Sequence, residues 1–341
     1  MERDPVEARA DDGLDLYDVS TWEPRTRLDR ISVKLYNGAL TTGRIVFVLA
    51  AFLIILAQFV LGGIGALFSN QPGAVALVAL SVVPALALFA YVYSADVTSP
   101  EPLELVVGTF VLGILFAGFA AVVNSSLGGL QGVPIVGLFL FFFLVVGPVE
   151  ETVKLLAVRL LPYRHESFDA VVDGAVYGAA AGLGFATIEN ALYISRGITM
   201  SGQVVGQGGL GELIGMGAGI TALRALAGPG HVIYSAFAGY YLGLAKFNPD
   251  RRGPIVVKGL LIASLIHATY NSLVSVVPGV ANVLFGIEPI VAFFGFVVVF
   301  DGVFGYILYR KLKRYAAAYR ASRGDEIDEA TFSPEMAEFD G

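Results

Sequence analysis

Residues 139–161 read FLFFFLVVGPVEETVKLLAVRLL. An apolar run leads into Glu150, Glu151 and Lys154, all within one helical turn, and apolar residues resume beyond them. A charge at the bilayer centre costs about 2.5–3.5 kcal/mol on insertion scales. Three in one turn therefore face a protein-lined, watery cavity rather than lipid. The plainer alternative is an ion pair near the inner end of the span, with Lys154 snorkelling to the interface.

Working outward, long apolar runs recur along the chain. A membrane span needs about 20 apolar residues, and eight segments fit: 44–68, 73–93, 103–124, 135–161, 170–195, 218–245, 255–277 and 287–310. The expected fold is all-α, a polytopic integral membrane bundle of about eight transmembrane helices. The sixth span starts vaguely. Pro229 makes its continuity doubtful, and residues 209–227 fit a separate interfacial or re-entrant helix. The chain has 341 residues, 56% hydrophobic and only 15% charged, where soluble domains carry about a quarter.

Charge placement orients the spans. With the N-terminus inside, all of the 22 basic residues except Arg196 and Arg224 fall on cytoplasmic segments, the asymmetry of the positive-inside rule. Both termini are then cytoplasmic in a multi-pass protein of the cell membrane. Three parts follow: a polar acidic N-terminal segment 1–43, a membrane domain 44–314 and an acidic tail 315–341. Acidic blocks of this kind are usually solvated and disordered. The polar first segment and the long first apolar run do not fit a signal peptide. Cysteine is absent, which excludes disulfide and thiol chemistry. No nucleic-acid signature appears, and the oligomeric state is not readable.

The polar residues inside apolar segments carry the chemistry. Glu150 and Lys154 share a helix face, with Glu151 about 100° around. Pro148 removes a helix hydrogen bond just before them. Glu189 and Asn190 lie in the fifth span, with Phe185 one turn earlier. His231 lies in the sixth span, with Arg224 seven residues before it; His267 lies in the seventh, with Asn271 one turn later. Gly174, Gly178 and Gly182 recur every four residues, a spacing that lets membrane helices approach closely.

Two histidines and a carboxylate make a catalytic zinc set with a position left for water. Glu189, His231 and His267 suit the ligand roles. Glu150 or Glu151 suits the general base, and Asn271 suits a donor to the oxyanion. The same groups also suit a metal-free route in which glutamate and histidine activate water directly. The two glutamates differ in depth by about 10 Å at 1.5 Å per residue, so the fifth span should start late, near Gly174.

These residues resemble the PrsW family of intramembrane proteases, within the wider group of CAAX prenyl proteases and bacteriocin-processing (Abi) membrane proteins. The matching features are Glu150-Glu151-x-x-Lys154, Phe185-x-x-x-Glu189-Asn190, His231 and His267-x-x-x-Asn271. The loop from Asp96 through Ser99-Pro100-Glu101-Pro102 looks like the family's acidic, proline-containing loop. The resemblance spans about 45–312. It implies a helical membrane enzyme that cuts peptide bonds of a membrane-associated protein substrate, in or beside the lipid bilayer. It also implies catalytic roles for the paired glutamates and His231. Lys154 and Asn190 belong to the candidate catalytic set, and Phe185 and Arg224 to substrate binding. The family's best-known substrates are membrane-anchored anti-sigma factors. CAAX proteases usually carry a histidine at the position of Glu189 and an arginine near that of Lys154, so this chain is closer to PrsW. Two other readings use the same residues: a non-catalytic scaffold on this fold, and an ion or metal transporter. No internal repeat is visible, which counts against a transporter built from inverted halves.

Overall fold

The computed structural model describes residues 4–8, 15–37, 72–201 and 210–323. The expected first span, 44–68, lies outside the described residues, as do the glycine-rich stretch 202–209 and the end of the acidic tail. Helix α1 covers 27–37. It is followed by α2 (Pro72–Ser94) and α3 (Leu103–Ser126). Helix α4 is built of three pieces, Gly137–Phe141, a wide π-helical turn Phe142–Val146, and Gly147–Leu160. Then come α5 (Val171–Ser201), α6 (Leu210–Phe247), α7 (Arg252–Phe285) and α8 (Pro289–Ala321). Among the described residues the only β pairing is a lone bridge between Tyr17 and Thr21.

Among the described residues five stretches are long and apolar enough to cross a membrane: Val75–Ser94, Leu103–Ser126, Val171–Ile198, Pro249–Phe285 and Pro289–Ala321. The protein is an all-α membrane bundle. Helices α4 and α6 fall short of that measure for reasons visible in their sequences. The first is broken into short pieces and carries Glu150, Glu151, Lys154 and Arg159; the second is rich in glycine, alanine and tyrosine.

Helix α5 is the centre of the bundle. In its most apolar window 94% of residues are buried, against 11% for α8, which exposes Val298, Val299 and Val303. The glycine stripe explains how α5 is enclosed. A Cβ placed on Gly174, Gly178 or Gly182 would run into the backbone carbonyls of Gly239, Ser235 and His231 on α6. The two backbones touch because α5 presents no side chain along this stripe. Gly184 meets the α3 carbonyl of Phe110 in the same way.

Two expectations for the spans are corrected. Residues 210–247 form one helix through Pro229, rather than a separate short helix followed by a span. The prolyl ring crowds the carbonyl four residues back, and that residue is the small Ala225, while Gly228 and Gly230 flank the proline. Helix α5 does not start late; it starts at Val171 and runs past the expected end at 195 to Ser201. That extension moves Glu189 toward the middle of its helix and removes most of the depth mismatch.

The N-terminal segment is packed, not solvated. Val6, Val19 and Trp22 are buried. Asp4 Oδ2 accepts from the Val171 amide at the start of α5 (2.9 Å) and from Tyr315 on α8 (3.0 Å). Asp18 pairs with Lys258 on α7 (3.0 Å) and Lys311 on α8 (2.9 Å), and Asp29 adds a second carboxylate to Lys258 (2.9 Å). The Trp22 amide donates to Asn248 Oδ1 (2.9 Å). The N-terminal segment, the start of α5, the end of α6, the start of α7 and the end of α8 thus share one face of the bundle. The α2–α3 loop joins them through Ser99, which donates to Asp169 Oδ2 (3.3 Å). Helix α8 continues to Ala321, inside the stretch read as a tail.

Candidate active site

The broken helix α4 sets the site. Pro148 has no amide hydrogen for the preceding turn, and the wide turn Phe142–Val146 lies immediately before Gly147 and Pro148. Wide turns of this kind re-aim the side chains that follow and recur at functional positions. Here they are followed by Glu150, Glu151 and Lys154, all buried.

The two glutamates do different things. Glu151 and Lys154 have fully buried side chains. Glu151 Oε1 accepts from Lys154 Nζ (2.7 Å) and lies 2.8 Å from His267 Nδ1. Ser235 Oγ reaches Glu151 Oε2 at 3.4 Å. Lys154 Nζ also lies 2.9 Å from His231 Nδ1 and stands 4.3 Å over the Phe185 ring. Glu150 instead lines a cavity of about 720 Å³, together with Glu189, Arg224, His231, His267 and Asn271. Asn124 Nδ2 donates to Glu150 Oε1 (3.0 Å), and Glu150 Oε2 is buried without a hydrogen-bond partner. Lys154 Nζ and His267 Nε2 each stand 3.8 Å from it.

Glu189 enters from α5. It pairs with Arg224 and lies 2.9 Å from His231 Nε2. Its side chain is 21% exposed, against 0% for Glu151, so it opens to the cavity while Glu151 does not. Asn190 points the other way. It is fully buried, accepts from Arg224 Nε (2.9 Å) and donates to Ser81 Oγ (2.9 Å). It anchors the arginine rather than touching the cavity. Arg224 also lies over Tyr193 (4.3 Å). Phe185 packs on His231 with ring centroids 5.5 Å apart, and Tyr234 stacks on His267 at 5.2 Å. The third histidine, His165, is exposed and bonded to Ser167.

The candidate catalytic, ligand and substrate-binding residues named from the sequence fall in or against this one cluster, from α4, α5, α6 and α7, whereas the loop from Asp96 to Pro102 does not. Reasoning from sequence missed Asn124, Ser235 and Tyr234. Ser235 was reachable, because it lies one turn after His231 on the same face. Asn124 is a polar residue at the end of an apolar span, and nothing in its surroundings pairs it with Glu150.

The donors fit a metal ion. Glu150, His231 and His267 each offer a ligand atom, and these atoms lie within 4.8 Å of one another. Glu150 Oε2 is an orphan acceptor at that point. Glu151 and His267 form the carboxylate–histidine pair that commonly supports a metal ligand from behind. Three carboxylates stand against two basic side chains, Lys154 and Arg224, which leaves room for added positive charge.

An all-helical membrane bundle with acids and histidines converging inside it defines an intramembrane hydrolase. The model of the PrsW family intramembrane metalloprotease matches residues 101–303, and the chain belongs to that family. It is similar to protease PrsW of Bacillus subtilis (strain 168), 30% identical over 226 residues that cover 64% of this chain and 90% of that protein. Protease PrsW of Shouchella clausii (strain KSM-K16) is 30% identical over 59% of this chain and 84% of its own length. That of Geobacillus kaustophilus (strain HTA426) is 31% identical over 57% and 78%. No solved structure matches the chain. The protein is a membrane protease, a peptide-bond hydrolase whose substrate is a protein in the membrane.

Proposed function

We propose that Glu150, His231 and His267 hold the metal, and that Glu189 serves as the general base. The observation that carries this is the convergence of three donor atoms from three helices at a cavity that Glu189 also lines. Glu150 thereby takes the ligand role that residue types alone suggested for Glu189, and Glu189 takes the base role suggested for Glu150 or Glu151. Zinc suits a site of two imidazoles and one carboxylate. When bound, the ion supplies a Lewis acid that polarises the scissile carbonyl and acidifies a water.

The chain's own residues do the rest. Glu189 takes a proton from the attacking water as its oxygen bonds to the carbonyl carbon. Asn271, one turn beyond His267, donates its amide to the oxygen that gains charge. Glu189 then returns the proton to the leaving nitrogen as the C–N bond breaks. Glu151 and Lys154 hold the two imidazoles in orientation from behind. Phe185 and Arg224 line the passage where substrate backbone enters.

The chain is multi-pass with both termini cytoplasmic. In support, the N-terminal segment and the end of α8 lie on the same face, with Lys258 and Lys311 at that face. A membrane-anchored regulator of the anti-sigma-factor kind suits the family's chemistry as a substrate. The boundaries 1–43, 44–314 and 315–341 serve as the domain description.

The test is metal content measured with cleavage of a membrane peptide. Glu150→Gln and His267→Ala should lose both. Glu189→Gln should keep the metal and lose cleavage by about 10²–10⁴-fold. Metal lost from Glu189→Gln but retained in Glu150→Gln would reverse the two roles. A metal-free protein that still cleaves would favour the direct route, which the short His231–Glu189 distance supports.

A further inference from the structure

A second group of acids lies far from the catalytic cavity. Asp96 and Glu101 are in the loop between α2 and α3, and Asp173 is in the first turn of α5. Their carboxylates each offer an oxygen, and these oxygens lie within 4.8 Å of one another. Asp173 and Glu189 are 16 residues apart on one helix, about 24 Å at 1.5 Å per residue. The acid cluster is therefore at the start of α5 and the catalytic cavity near its middle.

Hydrogen bonds account for only part of this cluster. Asp173 Oδ2 caps α5 by accepting from the amides of Asp169 and Ala170, both at 2.8 Å. Oδ1 has a long contact with Thr98 Oγ1 at 3.5 Å, and the carboxyl lies against that of Glu101. Thr98 occupies Asp96 Oδ1 (2.7 Å), and Tyr177 occupies Glu101 Oε2. The remaining oxygens, Asp96 Oδ2 and Glu101 Oε1, are buried with no hydrogen-bond partner. Glu101 is 3% exposed, so water does not serve it from bulk. Among the described residues no Lys, Arg or His forms an ion pair with Asp96, Glu101 or Asp173. An unpartnered carboxylate oxygen so buried costs a large part of its hydration energy.

We infer that Asp96, Glu101 and Asp173 form a second cation site, for a hard divalent ion, Ca²⁺ or Mg²⁺. The donors are all carboxylate oxygens with neither imidazole nor thiolate, the set that suits these ions and not zinc. The site spans two elements that otherwise meet through Thr98, Ser99 and the Tyr177–Glu101 hydrogen bond. An ion there ties the α2–α3 loop to the first turn of α5, the helix that carries Glu189 near its middle. Burial, with the neighbouring Asp96 charge, pushes the Glu101 carboxyl up to about 7, the response of carboxylates gathered without a counter-charge. The competing occupant is a proton shared among them.

The test uses the full chain in detergent, stripped with EDTA and titrated with Ca²⁺ and separately with Mg²⁺. Calorimetry and thermal unfolding report binding without relying on catalysis. At least one ion should give a single saturable event and a rise in Tm. His267→Ala should keep that response, which separates it from the catalytic centre. Glu101→Gln and Asp96→Asn should lose it; Asp96 lies on the loop, so its variant keeps the test usable if Glu101→Gln does not fold. No response of the wild type to either ion would overturn the inference, as would a response that survives both carboxylate substitutions. Stability that rises as pH falls through about 7, with no response to cations, would also overturn it in favour of shared protons.

Discussion

Glu150 and Glu151 are neighbours in sequence with opposite surroundings. The first faces a cavity and keeps an oxygen free; the second is closed off behind two histidines and a lysine. Glu151 touches both His267 and Lys154, and Lys154 touches His231. Its substitution should therefore act on both imidazoles without removing a group that meets substrate. Glu151→Gln should weaken metal binding by about 10–100-fold, the usual cost of losing a partner behind a ligand. Metal titration of the purified variant measures this, and affinity equal to wild type would show that His267 needs no such support. The presence of these residues was legible because a charge in an apolar span is costly. Their division of labour was not. Two side chains 100° apart on a helix can be assigned only when the face that fronts the cavity is known. That face is set by the wide turn Phe142–Val146, which a run of phenylalanine, leucine and valine does not announce.

At the scale of helices, the apolar runs located α2, α3, α5, α7 and α8 because lipid demands length and hydrophobicity. Helix α6 was harder, since its surface is glycine and tyrosine and its interior holds a proline. It is stable as one helix because α5 lies against it along Gly174, Gly178 and Gly182. The four-residue repeat of these glycines was visible in the sequence, but the partner helix was not. His231 supplies one of the carbonyls that Gly182 approaches, so the stripe also places the histidine proposed as a metal ligand. Gly182→Val should push α6 away, costing about 1–3 kcal/mol as in an overpacked core, and should abolish cleavage by displacing His231. Gly295→Ala on α8, where a Cβ meets nothing within 4 Å, should leave both stability and cleavage unchanged. Denaturant unfolding in detergent with a parallel cleavage assay checks the pair. Equal stability of the two variants would mean that the helices do not pack through these glycines.

Across the whole molecule, the N-terminal segment gathers the ends of α5, α7 and α8. Its acids read as a solvated tail because their partners, Lys258 and Lys311, are more than 200 residues away in sequence. Asp18 and Asp4 respond to pH in opposite ways. Lys311 and Lys258 hold the buried Asp18 well below the usual carboxylate range. Its contribution to stability is therefore present above its unfolded value and fades only in acid. Among the described residues no cation pairs with Asp4. Burial raises it to about 6 from 3.8, even though the Val6 and Val171 amides and Tyr315 donate to it, and Glu7 adds repulsion. A raised carboxyl favours the folded state while protonated. Its contribution is complete below about 4 and is lost as pH rises through about 6. Two units correspond to about 3 kcal/mol between those limits. Between pH 5 and pH 7.5 Asp18 and Asp29 stay ionised, so this part of the molecule should tighten as pH falls. The wild type should show a higher Tm at the acid end of that window. Asp4→Asn, which fixes the neutral form, should shrink the difference by the share that Asp4 supplies. An Asp4→Asn profile parallel to wild type would place the pH dependence elsewhere, with Glu101 the next group to substitute.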